Sequence, residues 1–408
     1  MKERLPVLAG LTALIVAALV VAAGQAQTVP TTSWGEPDLQ GIWDAMPFQI
    51  PLQRPAAYEG QEFFTEEQIA DLDKRRSALP GNETRSVRGT EQDIAGAYNV
   101  VFTSLRPTGR RTSLIVDPPN GRIPPVTPEV QQRRAYIREW GLALLEATDT
   151  CKRQMPGCED GKYTGVASPR RDEPYKYYPN FRLNKMDGPE DHGTMNTRCL
   201  GGNVPLFNGY RQIVQSPGAV SIFYDVGQGQ GFHRTIPITT RPHLPSNVRT
   251  WWGDSVAHWE GNTLVVDVTN FNGKIDFQGS TENLHLVERW TRSGPDTIEY
   301  VVTFSDPTAW TGPWTVEQEF TKQPDEANRI YKEPRCADGE YARFSMLMGA
   351  RMLETAFAEG RGPDPASVNF ATPTNSATLL AIEAGEEDGD PLRGRLLPGP
   401  SHPGPSPR

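Results

Sequence analysis

Trp251-Trp252-Gly253-Asp254-Ser255-Val256-Ala257-His258-Trp259-Glu260-Gly261-Asn262-Thr263-Leu264-Val265-Val266-Asp267-Val268-Thr269-Asn270-Phe271 decides the fold class. It reads as two β-strands joined by a tight Glu260-Gly261-Asn262 turn. In the second strand Leu264, Val266 and Val268 share one face, and Thr263, Val265, Asp267 and Thr269 share the other. That alternation fits a half-buried antiparallel strand and rules out a helix, whose apolar period is close to 3.6.

The same period extends in both directions. Strands are expected over 212–215, 219–226, 231–238, 248–257, 263–270, 284–291, 297–305 and 314–322, with turn signals between them such as Ser293-Gly294-Pro295-Asp296. Sequential strands at this spacing predict a mainly β fold. The expected architecture is an antiparallel meander closed as a barrel or folded as a sandwich, with a few peripheral helices.

Helical signals lie outside this block. Thr65-Glu66-Glu67-Gln68 is a capping box opening a helix to about Ser77. Thr127 caps a longer helix, with Pro128 at its first position, running to about Ala147. A third is expected over 341–358. Residues 111–124 read as a short apolar strand, a Pro-Asn-Gly turn and an extended piece. The stretch 152–201 reads as a long ordered loop covering one end of the fold, and the Pro-, Gly- and acid-rich tail as unstructured. The domain expectation is therefore a leader over 1–26, a helical and irregular part over 27–200 packed on a β domain over 201–358, and a tail over 359–408.

Lys2 and Arg4 precede an apolar run from Leu5 to Ala23, and Gly24-Gln25-Ala26 supplies small residues where a signal peptidase would cut. An uncleaved anchor is the competing reading, because the run nearly reaches spanning length. Cleavage implies a periplasmic or extracellular protein with no membrane association afterwards. In that compartment the four cysteines read as two disulfides, with Cys151–Cys158 across the Met155-Pro156-Gly157 loop and Cys199–Cys336 as the remaining pair. The net charge of −9, without a basic run, argues against nucleic acid as a partner.

Several segments together resemble a family of exported bacterial proteins of unassigned activity. They are Arg211–Gly218, Trp252-Gly253-Asp254-Ser255, His258–Asp267 and His285-Leu286-Val287-Glu288-Arg289. Asp306-Pro307 with Gly312-Pro313-Trp314, Gly339-Glu340-Tyr341 with Gly349-Ala350-Arg351, and the segments 37–43 and 111–124 fit the same pattern. One departure is Thr239-Thr240-Arg241-Pro242-His243, where the pattern would place an Asp-Gly-Arg turn. The resemblance implies export and supplies no catalytic assignment. Separately, Gly41-Ile42-Trp43 is similar to the first strand of lipocalins; a core tryptophan after a turn explains the same residues and is the reading adopted.

Strand parity picks out the groups that could carry chemistry. Over 284–291, Leu284, Leu286, Glu288 and Trp290 share one face, and His285, Val287, Arg289 and Thr291 the other. Glu288 thus sits among apolar neighbours, either paired with an internal arginine or raised in pKa as a general acid or base must be. Asp267 and His285 could meet as a carboxylate–imidazole pair if their strands are neighbours. Asp276 could join them from the rim, but an ordinary turn aspartate is the reading favoured for it. His233, His258 and His285, with or without Glu260, lack any metal-site spacing, so no metal or other cofactor is expected. His243 and His192 read as loop residues at a pocket mouth. No Gly-x-Ser-x-Gly elbow is present, and Gly227-Gln228-Gly229-Gln230-Gly231 lies between strands, so it reads as a hairpin loop.

The functional expectation is a protein that binds a small apolar or sugar-like molecule in a β-domain cavity, with His258, Trp252, Trp290, His233 and Asp276 as candidate contacts. The alternative is a cofactor-free hydrolase, lyase or isomerase using His285, Glu288 and Asp267.

Overall fold

The computed structural model describes residues 29–77, 106–137, 139, 155–159, 162–166, 168–169, 204–227, 230–274, 276–324 and 359–361. The expected leader, the helix over 341–358 and the tail from 362 onward lie outside the described residues, as do most of the 152–201 loop and the second half of the Thr127-capped helix.

Twelve strands lie among the described residues. They are β1 (Gly41–Asp44), β2 (Ile115–Asp117), β3 (Cys158–Glu159), β4 (Lys162–Tyr163), β5 (Tyr210–Ser216), β6 (Ala219–Gly227), β7 (Gln230–Pro237), β8 (Asp254–Glu260), β9 (Thr263–Thr269), β10 (His285–Gly294), β11 (Thr297–Ser305) and β12 (Trp314–Lys322). Nine of them form one sheet in the order β7-β6-β5-β1-β12-β11-β10-β9-β8, while β2 adds to the side of β12. Followed from β1, this is an up-and-down meander: β1 pairs with β5, the chain steps strand by strand to β12, and β12 returns to β1. The choice between barrel and sandwich resolves to a nearly closed barrel.

Strand number explains why closure is incomplete. A ring of nine strands cannot be antiparallel at every interface, so one interface must be parallel. That interface is β7/β8, and a parallel pair needs a crossover in place of a hairpin. Residues 238–253 are that crossover. The seam carries an isolated parallel bridge, Ile238 to Ala257, with the Thr239 amide donating to the Ala257 carbonyl at 2.9 Å.

The founding hairpin forms as its alternation requires. Leu264, Val266 and Val268 are all fully buried, and Gly261 takes φ 62° in the two-residue turn. The strand expected over 248–257 is corrected to 254–260. Gly253, at φ 72°, precedes it, and a Cβ there would come within 2.7 Å of the Thr269 carbonyl oxygen. The residues before it belong to the crossover. Gly41-Ile42-Trp43, read only as a core tryptophan after a turn, is a strand that closes the ring, and Trp43 is indeed fully buried.

The helical expectations hold where they are described. α1 (Glu66–Ser77) begins with both halves of the capping box: the Gln68 amide donates to Thr65 Oγ1 at 3.2 Å, and the Thr65 amide to Gln68 Oε1 at 2.8 Å. Residues 128–137 are helical, with Val130 buried against the barrel. Cys158, in the small β3–β4 hairpin, is not a free thiol; Cys151, Cys199 and Cys336 lie outside the described residues.

Candidate functional site

Two polar constellations flank the seam, one inside the barrel and one on its outer face. The inner one is built by residues that break the apolar parity of their strands. Arg234 lies between Phe232 and Ile236 on the buried face of β7, and Glu288 between Leu286 and Trp290 on that of β10. Their charged atoms meet at 2.6 Å, with Glu288 wholly buried. Tyr300 donates to Glu288 Oε1 at 2.8 Å. Arg234 also donates to Ser255 Oγ of β8 at 3.0 Å and to the Tyr224 hydroxyl at 3.2 Å. Of the two expectations for Glu288, the structure therefore supplies the internal arginine.

Charge and burial decide the protonation states here. Desolvation alone would lower Arg234, but Glu288 and Tyr224 outweigh it and raise its pKa above the ordinary value. Desolvation, then the Glu288 charge, raises the Tyr300 pKa well above normal, so the phenol stays a neutral donor. Arg234 ties three strands together across the seam, where the backbone ladder is missing.

Aromatic layers line this interior. A stack runs from the Arg211 guanidinium over Tyr224 at 4.7 Å, through Phe232 at 4.6 Å, to Trp252 at 4.6 Å. At the end where β10 and β12 begin, Phe304, Trp314 and Phe277 stack together. Where those strands finish, the Arg292 guanidinium sits 4.6 Å over Trp43 and donates to the carbonyls of Gly294, Pro295 and Asp38. Beside the paired Arg234 and Glu288, five buried polar atoms in this interior have no hydrogen-bond partner: Arg211 Nε, Trp259 Nε1, Trp290 Nε1, Trp314 Nε1 and Gln318 Oε1. Burial lowers the Arg211 pKa to about 10.

The outer constellation spans β8, β9 and β10. Asp267 faces Val256 on one side and Val287 on the other, which places Asp254 and His285 on its diagonals. His285 Nε2 lies 3.0 Å from Asp267 Oδ1, the meeting that strand parity allowed. The crossover adds a second imidazole: His243 Nε2 lies 2.9 Å from the same oxygen, and its Nδ1 lies 2.9 Å from Asp254 Oδ2. Arg241 grips Asp254 through both terminal nitrogens, at 3.2 and 2.8 Å, and the Leu244 amide donates to it at 3.0 Å.

The hydrogen bond from His285 lowers the Asp267 pKa, against an opposing desolvation effect, and the same bond raises that of His285. For Asp254, desolvation pushes upward, but bonds from Arg241, Leu244 and His243 prevail and hold its pKa at about 2.

The residues singled out from sequence thus separate. Asp267 and His285 are together on the outer face, each about two-fifths exposed, and Glu288 is inside. Among the five candidate contacts, Trp290 is in the interior and Trp252 caps the aromatic stack. His258 lies exposed on β8, 3.1 Å from Glu260, which Arg289 also binds. His233 is exposed on β7 with its ring against Phe223. Asp276 accepts from the Gly279 amide at 2.9 Å and pairs with Arg133, far from an acid/base role. Among the described residues no group of three or more His, Cys, Asp and Glu side chains has a metal-binding arrangement.

Sequence reasoning passed over Arg211, Arg234, Tyr224 and Tyr300, although a charged residue on an apolar parity, the signal that exposed Glu288, was present for both arginines. Nothing local marks Arg241 or Asp254, whose role depends on how the crossover folds back. Compared with known proteins, the chain matches no family model and no curated sequence.

Proposed function

We propose that this protein binds one small, largely apolar molecule bearing oxygen acceptors inside the barrel, in an exported setting. The observation that carries the reading is the set of five unpartnered buried atoms, four donors and one acceptor, among aromatic walls. Each such atom costs about 1–3 kcal/mol when left unsatisfied, and a native interior rarely tolerates several without a bound molecule or water to meet them. Four donors to one acceptor suit a carboxylate, lactone, ether or sugar oxygen, and the ring faces suit a flat or hydrophobic body. Barrels of roughly eight strands enclose just enough space for side chains or for one small ligand. The apolar leader and the cysteine count support export.

The enzymatic alternative needs Asp267, His285 and Glu288 to serve one site. Glu288 lies across the sheet from the other two and is neutralised by Arg234, so the geometry favours binding.

Calorimetric titration with a medium-chain fatty acid, an aromatic carboxylic acid and a monosaccharide tests this. One saturable site is expected for at least one of them, with a raised melting temperature. Trp290→Phe, which removes one donor and keeps the ring, should weaken binding about tenfold, the equivalent of one hydrogen bond at ~1.4 kcal/mol. Absence of saturable heat and of any melting shift for all three would count against the reading.

A further inference from the structure

Across the seam, the crossover 238–253 is fastened to the outer face at several points, by Arg241 and the Leu244 amide on Asp254, by Asn270 on the Leu244 carbonyl, by Arg249 on the Phe271 and Glu282 carbonyls, and by His243, which alone among these side chains bridges two carboxylates. Its two ring nitrogens each stand 2.9 Å from a carboxylate oxygen, on Asp254 of β8 and Asp267 of β9. Asp254 is saturated with donors: Arg241 twice, the Leu244 amide and His243. An ionised carboxylate only accepts, and a neutral imidazole has a single N–H. Both contacts are therefore hydrogen bonds only when His243 carries two protons. In the neutral ring one nitrogen's lone pair would point at a carboxylate oxygen.

His285 differs. One N–H suffices for its single bond to Asp267, so its neutral form keeps that bond. The charged and titratable groups facing His243 are Asp254 from β8, Asp267 from β9, His285 from β10 through the shared oxygen, and Arg241 from the crossover itself.

We propose that His243 is a proton-operated latch: as an imidazolium it clamps the crossover over the β7/β8 seam, and on losing a proton it releases one side. The seam is where the barrel lacks a backbone ladder, and aromatic layers occupy both ends, so this interface is the natural route to the interior. That last step rests on the binding reading above; the latch itself does not. The sign follows from the bond count: the clamp is complete while the ring carries both protons, on the acid side, and weakens as rising pH removes one.

Amide hydrogen exchange on the full chain, corrected for intrinsic rates, tests the latch without any ligand. Between about pH 5.5 and pH 8, a span that brackets imidazole titration, protection of residues 239–250 should fall several-fold while that of β10–β11 stays constant. Imidazole nitrogen shifts in the wild-type protein should show His243 protonated at both positions at the acid end. His243→Gln should exchange at the high-pH rate throughout. His258→Gln, away from the seam, should behave as wild type. Protection that does not change with pH, a His243 ring with one bare nitrogen at the acid end, or pH dependence persisting in His243→Gln would each overturn the latch. If the latch holds and no ligand binds, the binding reading fails alone.

Discussion

At the scale of single residues, the molecule's charge placement makes unequal demands. Glu288 is wholly buried with Arg234, so Glu288→Gln leaves an uncompensated guanidinium in a low-dielectric interior. Removing one partner of such a pair typically costs about 3–5 kcal/mol, whereas apolar replacement of both can be close to neutral. Denaturant unfolding of Glu288→Gln should show a loss in that range, and a loss under about 1 kcal/mol would mean water reaches the pair. Asp254 is also nearly buried, with its pKa held at about 2 against an ordinary 3.8. Its folded pKa is depressed, so its contribution is present above the unfolded value and is lost as pH falls from about 4 toward about 2. Asp254→Asn should cost roughly 2 kcal/mol at neutral pH and flatten the acid limb of a stability–pH curve over that window. The Asp267–His285 pair is half-exposed and is worth at most about 1 kcal/mol. Its carboxylate share persists above pH 3.8 and fails as pH falls below; its imidazole share is full below pH 6.5 and fails as pH rises through the raised value.

At the scale of elements, period-two alternation did most of the work, because each strand of this barrel buries one face and wets the other. Seven of the eight expected strands from 212 onward lie within a few residues of β5–β7 and β9–β12. The exception is instructive. Residues 248–253 are rich in strand-forming types, yet the chain there must cross over to begin a parallel neighbour, and tertiary geometry overrides local preference. Likewise β1 has only four residues, too short for alternation to show, and becomes a strand because β5 and β12 each offer it a free edge. Parity gives a clean contrast on β9: Val266→Asp, at a wholly buried position, should prevent folding at moderate temperature, while Asp267→Ala should lower stability by no more than about 1 kcal/mol. Circular dichroism melts of the two variants compare them directly. Trp43→Ala should cost about 3–5 kcal/mol, since it opens a cavity beneath Arg292 at the point where the ring closes.

At the scale of the whole molecule, an odd strand count accounts for the seam, and the seam accounts for the position of both polar constellations. Arg234 crosses it from within, to Ser255 and Glu288. Arg241 and His243 fasten the crossover beside it from without. The Asp267–His285 meeting was legible in the sequence because both lie on the polar parity of strands that turned out adjacent. The additional partner His243 was not, since a loop's path over a sheet leaves no periodic trace. The interior's chemistry was half legible: Glu288 stood out against its apolar neighbours, but the arginine that answers it sits on a strand far off in sequence, and only closure brings the two together.

The central claim, that the barrel interior is a binding site, is tested most directly by high-resolution crystallographic density around Arg211 Nε, Trp259 Nε1, Trp290 Nε1, Trp314 Nε1 and Gln318 Oε1. The account predicts continuous density larger than single waters, from a bound molecule, within hydrogen-bond reach of at least two of these atoms. Protein side chains packed against all five, with no density between them, would contradict it and leave a barrel whose interior serves only to hold itself together.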